Sequence, residues 1–185
     1  MTDAGQPGGA PGPEASRPWM PASYGIKAGP SPQSIDWSAV QDQLLQARNY
    51  WVATTRPNGR PHVMPVWGLW LEDGFYFGTD PDSRKGRNLD ASPWAVVHLE
   101  SGDDAAIIEG QVQRVRDRAR LADFVAAYDA KYQIRPDVTN PNTGVYCLRP
   151  KAAFAWSERD FPNTATRWRF PALDKGDRWT KNPLS

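Results

Sequence analysis

Cysteine and histidine are nearly missing from this sequence. The one cysteine, Cys147, excludes an intrachain disulfide. It stands in the apolar run 144–148 and reads as a buried strand residue rather than a nucleophile. His62 and His98 fall in separate segments without a Cys, Asp or Glu at ligand spacing. His98 and Glu100 alternate onto one strand face, but two donors make a poor site where zinc takes three or four, so no metal is expected. An excess of one charge is lacking too: 22 basic residues meet 21 acidic ones, for a net charge of +1. That balance argues against wholesale binding to nucleic acid or a membrane surface. No run of about eighteen apolar residues is present, and no charged start leads into an apolar stretch, so a soluble, cytoplasmic protein is expected. Gly-x-Ser-x-Gly, Walker and Rossmann patterns are absent, which removes the usual support for hydrolase and nucleotide-triphosphatase readings.

What is present is one domain's worth of alternating apolar segments behind a tail. Residues 1–34 carry prolines at 7, 11, 13, 18, 21, 30 and 32. They have too few large apolar side chains to offset ordering entropy, so they read as a disordered or extended tail, ordered only where Trp19 and Tyr24 find a groove. Residues 35–171 read as the domain and 172–185 as a second tail. A helix is expected from about residue 34 through Val40, Leu44 and Leu45. The strands 50–56 and 61–71 flank Asn58-Gly59, a strong hairpin signal because both residues tolerate positive φ. A turn at Glu72-Asp73-Gly74 leads into a strand over 75–79, and a helix over 83–91 stops at Ser92-Pro93. Strands over 94–100 and 105–116 follow, with a bulge expected at Glu109-Gly110. A helix over 118–132 has Leu121, Phe124, Val125 and Tyr128 on one face. The spacing then predicts a last hairpin of 144–149 and 152–156 across Arg149-Pro150-Lys151, a mobile linker over 157–165, and a short strand over 166–170. In that strand Arg167 and Arg169 share a face opposite Trp168, either as an edge defended by charge or as part of a site. About six antiparallel strands with few helices make the fold class mainly β (α+β): a small barrel with flanking helices.

The stretch most informative about chemistry runs from Gly78-Thr79 into Ser83-Arg84-Lys85-Gly86-Arg87-Asn88-Leu89. Backbone N–H groups at a helix start, two hydroxyls and two cations converge there on the place a phosphate would occupy. The bland alternative is a solvated helix start. The tryptophans Trp51, Trp67, Trp70, Trp94, Trp156 and Trp168 suit core or subunit-interface packing, the commoner fate of aromatics, and a planar ligand would use the same surface.

Together, the hairpin from Tyr50 to Trp67, the strand over 75–79, the Ser83-Arg84-Lys85 cluster and Asn88-Leu89 resemble the pyridoxamine 5′-phosphate oxidase-like split β-barrel superfamily. Within it they are most similar to the flavin- and deazaflavin-dependent oxidoreductases. The resemblance covers about residues 36–157. It implies a six-stranded antiparallel split barrel and a homodimer whose cofactors lie in clefts between subunits. The cofactor-binding residues it implies are as follows: Val63, Met64, Pro65 and Val66 presenting backbone to the ring edge, Gly78 and Thr79 under the ribityl chain, Ser83, Arg84 and Lys85 on the phosphate, and His62, Asn88 and Trp168 beside them. Pro65 lacks an N–H, which suits a strand edge interrupted for a ligand.

The resemblance further implies a redox enzyme that moves a hydride between its cofactor and a small conjugated organic substrate. No catalytic side chain is assigned; His62 or Tyr76 at the cleft mouth is the sort of acid or base to test. The cofactor is F420 or FMN. Arg-Lys-x-Arg-Asn-Leu favours coenzyme F420, with Lys27, Arg56, Arg60 and Arg87 as further cations for its longer anionic tail. Residues 61–71 contain no Lys or Arg, and the helix after Arg118 lacks the substrate-phosphate grip of the vitamin-processing oxidase. Pyridoxamine phosphate is therefore not the expected substrate. The rival reading is a non-enzymatic flavin- or haem-binding module.

Overall fold

Alternating apolar residues build a sheet here that closes on itself. The computed structural model describes residues 12–24, 31, 33–72 and 74–171. Among these, the strands are β1 (Glu14–Ser16), β2 (Asn49–Thr55), β3 (Pro61–Leu71), β4 (Gly74–Thr79), β5 (Trp94–His98), β6 (Asp104–Arg114), β7 (Gly144–Ser157) and β8 (Thr166–Arg169). The helices are α1 (Trp37–Gln46), α2 (Arg84–Ala91), α3 (Arg118–Tyr132) and α4 (Phe161–Thr164). The sheet order is β1-β8-β7-β4-β3-β2-β5-β6, and β6 returns to pair with β7. Six strands, β2 to β7, thus form a closed antiparallel barrel, with β8 and β1 added outside β7. This is the split barrel that the resemblance implies.

The period of two in β2 puts Tyr50, Val52 and Thr54 inward. There they meet Phe75, Phe77, Ile108 and Leu148, with α1 closing one end through Val40 and Leu44. The strand β4 is buried on both faces: Tyr76 points outward into a second cluster with Cys147, Phe124 and Val125 under α3. Cys147 is a buried free thiol, and burial pushes it up to about 11.

Three expectations are corrected. The last hairpin does not exist: β7 runs unbroken through Pro150, pairing with β4 over 144–148 and with β8 over 152–155 on the same edge. Pro150 is tolerated because it lies at a bulge, where the β6 register shifts between Glu109 and Gly110 and Lys151 is the extra residue. The bulge itself stands where it was expected. The mobile linker is an ordered one, folded into a 3₁₀ turn (Glu158–Asp160) and α4, which Thr164 ties to Ser157. The strand β8 is no edge, because β1 from the presumed tail covers it. Trp19 finds no groove and is 85% exposed, whereas Tyr24 sits in a 3₁₀ turn against Phe161. Lys27, Asp73 and residues 172–185 lie outside the described residues. No helix among the described residues is long and apolar enough to cross a membrane.

Candidate functional site

The strand β3 changes partner half-way. It pairs with β2 over 61–67 and with β4 only over 68–71. Among the described residues, the edge of 61–67 turned away from β2 therefore has no strand beside it. Gly68 marks the switch: a Cβ there would lie 2.3 Å from the Phe75 ring, so only glycine lets the two strands meet. The loose end is held by α3, whose Tyr132 hydroxyl accepts from Gly68 N at 3.0 Å and lies 2.8 Å from the carbonyl oxygens of both Arg48 and Gly68. Beside it, Lys131 Nζ donates to Leu45 O at 3.1 Å and to Tyr50 Oη at 2.8 Å. Burial lowers the Lys131 ammonium to about 8.

Against the unpaired edge of β3 opens a cleft of about 430 Å³, lined by Asn49, Pro65, Val66, Trp67, Gly78, Lys85 and Tyr128. Gly78 has nothing within 4 Å of where a Cβ would stand, so the floor below the β3 edge is open space. One end is aromatic. There Trp67 stacks on Tyr132 with centroids 5.0 Å apart and planes 4° from parallel, and the Arg48 guanidinium sits 5.2 Å from the indole.

The other end is cationic. Ser83 caps α2, its Oγ accepting from Gly86 N at 3.1 Å and lying 3.2 Å from Thr79 Oγ1. The first-turn N–H groups of Arg84 and Lys85 have no intrahelical acceptor. A Cβ on Gly86 would stand 2.2 Å from Pro81 O, so this first turn is pressed onto the Asp80-Pro81 connection that follows β4. Lys85 is only 8% exposed and has no hydrogen bond or ion pair among the described residues. Its Nζ lies 5.8 Å from the centre of the Phe77 ring, and burial lowers its pKa. Arg84 is exposed. Half-buried His62 is held below the usual histidine range, first by burial and then by the charges of Arg56, Lys85 and Arg84. The guanidinium of Arg56 thus belongs to the same cluster.

The structure brings Pro65, Val66, Gly78 and Lys85 to one cleft and sets Thr79, Ser83, Arg84 and His62 around its cationic end. Val63 and Met64 precede them on the same strand and are 47% and 48% exposed. Two residues are not brought there. Asn88 is fully buried, its Nδ2 bonded to Thr54 Oγ1 at 3.0 Å, and Trp168 is 1% exposed in the core against Trp37. Tyr76 is likewise not at the cleft mouth: it is buried under α3 with its hydroxyl bonded to Arg120, and its phenol is raised to about 12, chiefly by burial. Sequence reasoning missed Asn49 and Tyr128. Tyr128 reads locally as part of an apolar helix face, and only the return of α3 over β3 puts it on the cleft. Among the described residues, no three His, Cys, Asp or Glu side chains gather as metal ligands.

The family model for pyridoxamine 5′-phosphate oxidase matches residues 37–157, which includes the barrel and the whole cleft. The chain belongs to the pyridoxamine 5′-phosphate oxidase family. Two curated relatives carry the name pyridoxine/pyridoxamine 5′-phosphate oxidase. That of Ectopseudomonas mendocina is 26% identical over 187 residues, covering 83% of this chain and 85% of the relative. That of Gloeothece citriformis is 33% identical over 91 residues, 48% of this chain, and the match spans 42% of its length. Among solved structures, a conserved hypothetical protein of Mycobacterium tuberculosis superposes with a TM-score of 0.60 at 18% identity, over 82% of this chain and 99% of that one. The haem storage protein HutZ of Vibrio cholerae gives 0.53 at 14% identity, over 64% and 93%. At such identities these two share the fold alone.

Proposed function

We infer that the chain is an oxidoreductase that holds a flavin-type cofactor, coenzyme F420 in preference to FMN, and uses it on a small conjugated organic substrate. Lys85 is the observation that carries this reading. An ammonium on a largely buried side chain, open only to the cleft and without a counter-ion among the described residues, is poorly solvated, and an anion arriving at the end of β4 would relieve it. The residues present fit such a cofactor. Gly78 leaves room under a planar group, the unpaired edge of β3 offers main-chain donors and acceptors to its rim, and the α2 N-terminus offers N–H groups to its phosphate. When bound, the cofactor supplies the hydride chemistry. The protein's own part is to orient and to exclude water. Lys85, Arg84, Ser83 and Thr79 grip the anion, the edge at Pro65 and Val66 sets the ring plane, and Trp67 and Tyr128 close the aromatic end.

Arg56 in the cationic cluster, with exposed Arg60 and Arg87 nearby in sequence, favours the deazaflavin, whose tail carries more negative charge. The oxidase names of the relatives support the redox class. The absence of Lys and Arg from β3 speaks against pyridoxamine phosphate as substrate.

The functional unit in this reading is a homodimer. Register places Val63, Ala53 and Val96 in one row across β3, β2 and β5, and Pro65, Trp51 and His98 in the next, all on the outer face of the barrel. Trp94, 51% exposed, extends that apolar face, which runs straight up to the unpaired edge of β3. A second copy of the chain would cover it and wall the cleft.

The test is titration of the purified protein with FMN and with F420, followed by turnover of reduced cofactor with quinones, enones and nitro compounds. Tight binding with turnover supports the assignment. Binding without turnover across that panel makes the chain a binding module, and binding of haem alone removes the redox reading.

A further inference from the structure

We propose that Thr54 and Asn88 fix the ring of His62 in its Nε2–H tautomer, making His62 an uncharged hydrogen-bond donor to the cofactor's phosphate. The proposal rests on the flavin-type reading given above and adds three residues with separate tasks: one donor and two that position it.

Asn88, on the second turn of α2, is fully buried. Its Nδ2 donates to Thr54 Oγ1 at 3.0 Å, while its Oδ1 has no partner among the described residues. An unpaired buried acceptor is a standing cost that an apolar side chain of similar size would avoid. The amide therefore needs a reason to be there, and its direction supplies one. Because Thr54 Oγ1 receives the Asn88 N–H, its own proton is left to donate onward. Two atoms of His62 lie within reach, both at 3.4 Å: the main-chain oxygen, which can only accept, and Nδ1, which accepts in the Nε2–H tautomer and donates in the other; the proposed relay uses the accepting tautomer. Thr54 and His62 face each other in the β2–β3 register, so the imidazole lies across the threonine with Nδ1 toward it. Nδ1 as acceptor leaves the ring proton on Nε2, which has no partner among the described residues.

The charges that act on this ring are those of Arg56, Lys85 and Arg84, and all three oppose protonation. A neutral ring among three cations adds a donor to the anion site without adding repulsion. It also joins the two halves of the site. The grip on the phosphate comes from α2 and the ring edge from β3, and Asn88–Thr54–His62 is a side-chain chain running from one to the other through β2.

Two histidines make the ring signals assignable. Long-range proton–nitrogen spectra of histidine-labelled protein near pH 8, with His62→Gln to identify the peaks, read the tautomer directly. The expected result is His62 protonated at Nε2 in the wild type, a mixture of tautomers in Thr54→Val, and recovery in Thr54→Ser. A wild-type ring protonated at Nδ1 overturns the relay, because Thr54 would then be donating to the carbonyl or to a reversed Asn88 amide. Affinities for each cofactor are then compared with those for its phosphate-free form, riboflavin for FMN and the ribityl deazaflavin lacking the phosphate and tail for F420. Loss of a hydrogen bond to a charged group should weaken the phosphorylated ligand by about tenfold in Thr54→Val and in His62→Phe, and leave the phosphate-free ligand unchanged. Equal losses for both ligands would make these residues structural and overturn the proposal. A wild type that binds no phosphorylated cofactor removes the donor role along with the flavin reading, while the tautomer spectrum separately decides the relay.

Discussion

Lys85 and Arg84 are adjacent in sequence and unlike in setting. Lys85 is largely buried with no counter-ion among the described residues, whereas Arg84 is exposed to solvent that screens its charge. Lys85→Ala should therefore weaken phosphorylated cofactor roughly ten- to a hundredfold, one charge-assisted contact being worth about 1.5–3 kcal/mol. Arg84→Ala should cost less, and its loss should fade as salt is added; equilibrium titration at two ionic strengths checks both. Lys131 gives a prediction in pH. Burial holds its ammonium at about 8, against an ordinary value of 10.5, so between those values the unfolded chain binds more protons than the folded one. Folding stability from this group therefore rises with pH from about 8 to about 10.5. Urea melts across that window should show the wild type gaining on Lys131→Met as pH increases. A flat difference would mean that Lys131 is not desolvated behind Gly68.

At the scale of elements, the barrel closes through the long pairing of β6 with β7, which depends on one irregularity. A Cβ on Gly110 would stand 2.1 Å from the carbonyl oxygen of Arg149, and that atom is main chain and cannot turn aside. Gly110→Ala should destabilise the domain by about 1–3 kcal/mol, the usual cost of forcing a backbone shift in a packed site, as read from denaturant midpoints at unchanged slope. The bulge at Glu109-Gly110 was legible, because glycine inside a strand pattern marks such places. The continuity of β7 was not. Arg149-Pro150-Lys151 looks locally like a turn, and only the bulge opposite, together with the handover from β4 to β8, lets a proline pass through the strand. The same limit applies to residues 157–165. Their polar composition reads as a loop, yet Thr164 folds them back onto Ser157.

For the molecule as a whole, the proposed homodimer would form through the outer face of β2, β3 and β5. Its apolar rows run up to the cleft, so a second chain there would change both solubility and ligand binding. Trp94→Glu places a charge on that face without touching the core, since Trp94 is half exposed in the single chain. The expected outcome in sedimentation or light scattering is a dimer for the wild type and a shift toward monomer for the variant, with cofactor affinity falling in step. A wild type that stays monomeric at high concentration would remove the interface.

The sequence by itself determined the parts of this protein that depend on neighbours in the chain. Asn58-Gly59 set the β2–β3 hairpin, the period of two chose the inward faces, and Ser83-Arg84-Lys85 marked a cationic helix start after an apolar strand. Each is a local preference of backbone or burial and needs no distant partner. Tertiary structure alone decided which of these pieces share a cleft. It put Tyr128 and Asn49 beside Pro65, buried Trp168 far from them in the core, and turned Asn88 inward to Thr54. Barrel closure brings together segments separated by tens of residues, and the free energy that holds them comes from non-directional burial, which leaves no local mark on the residues that end up facing one another.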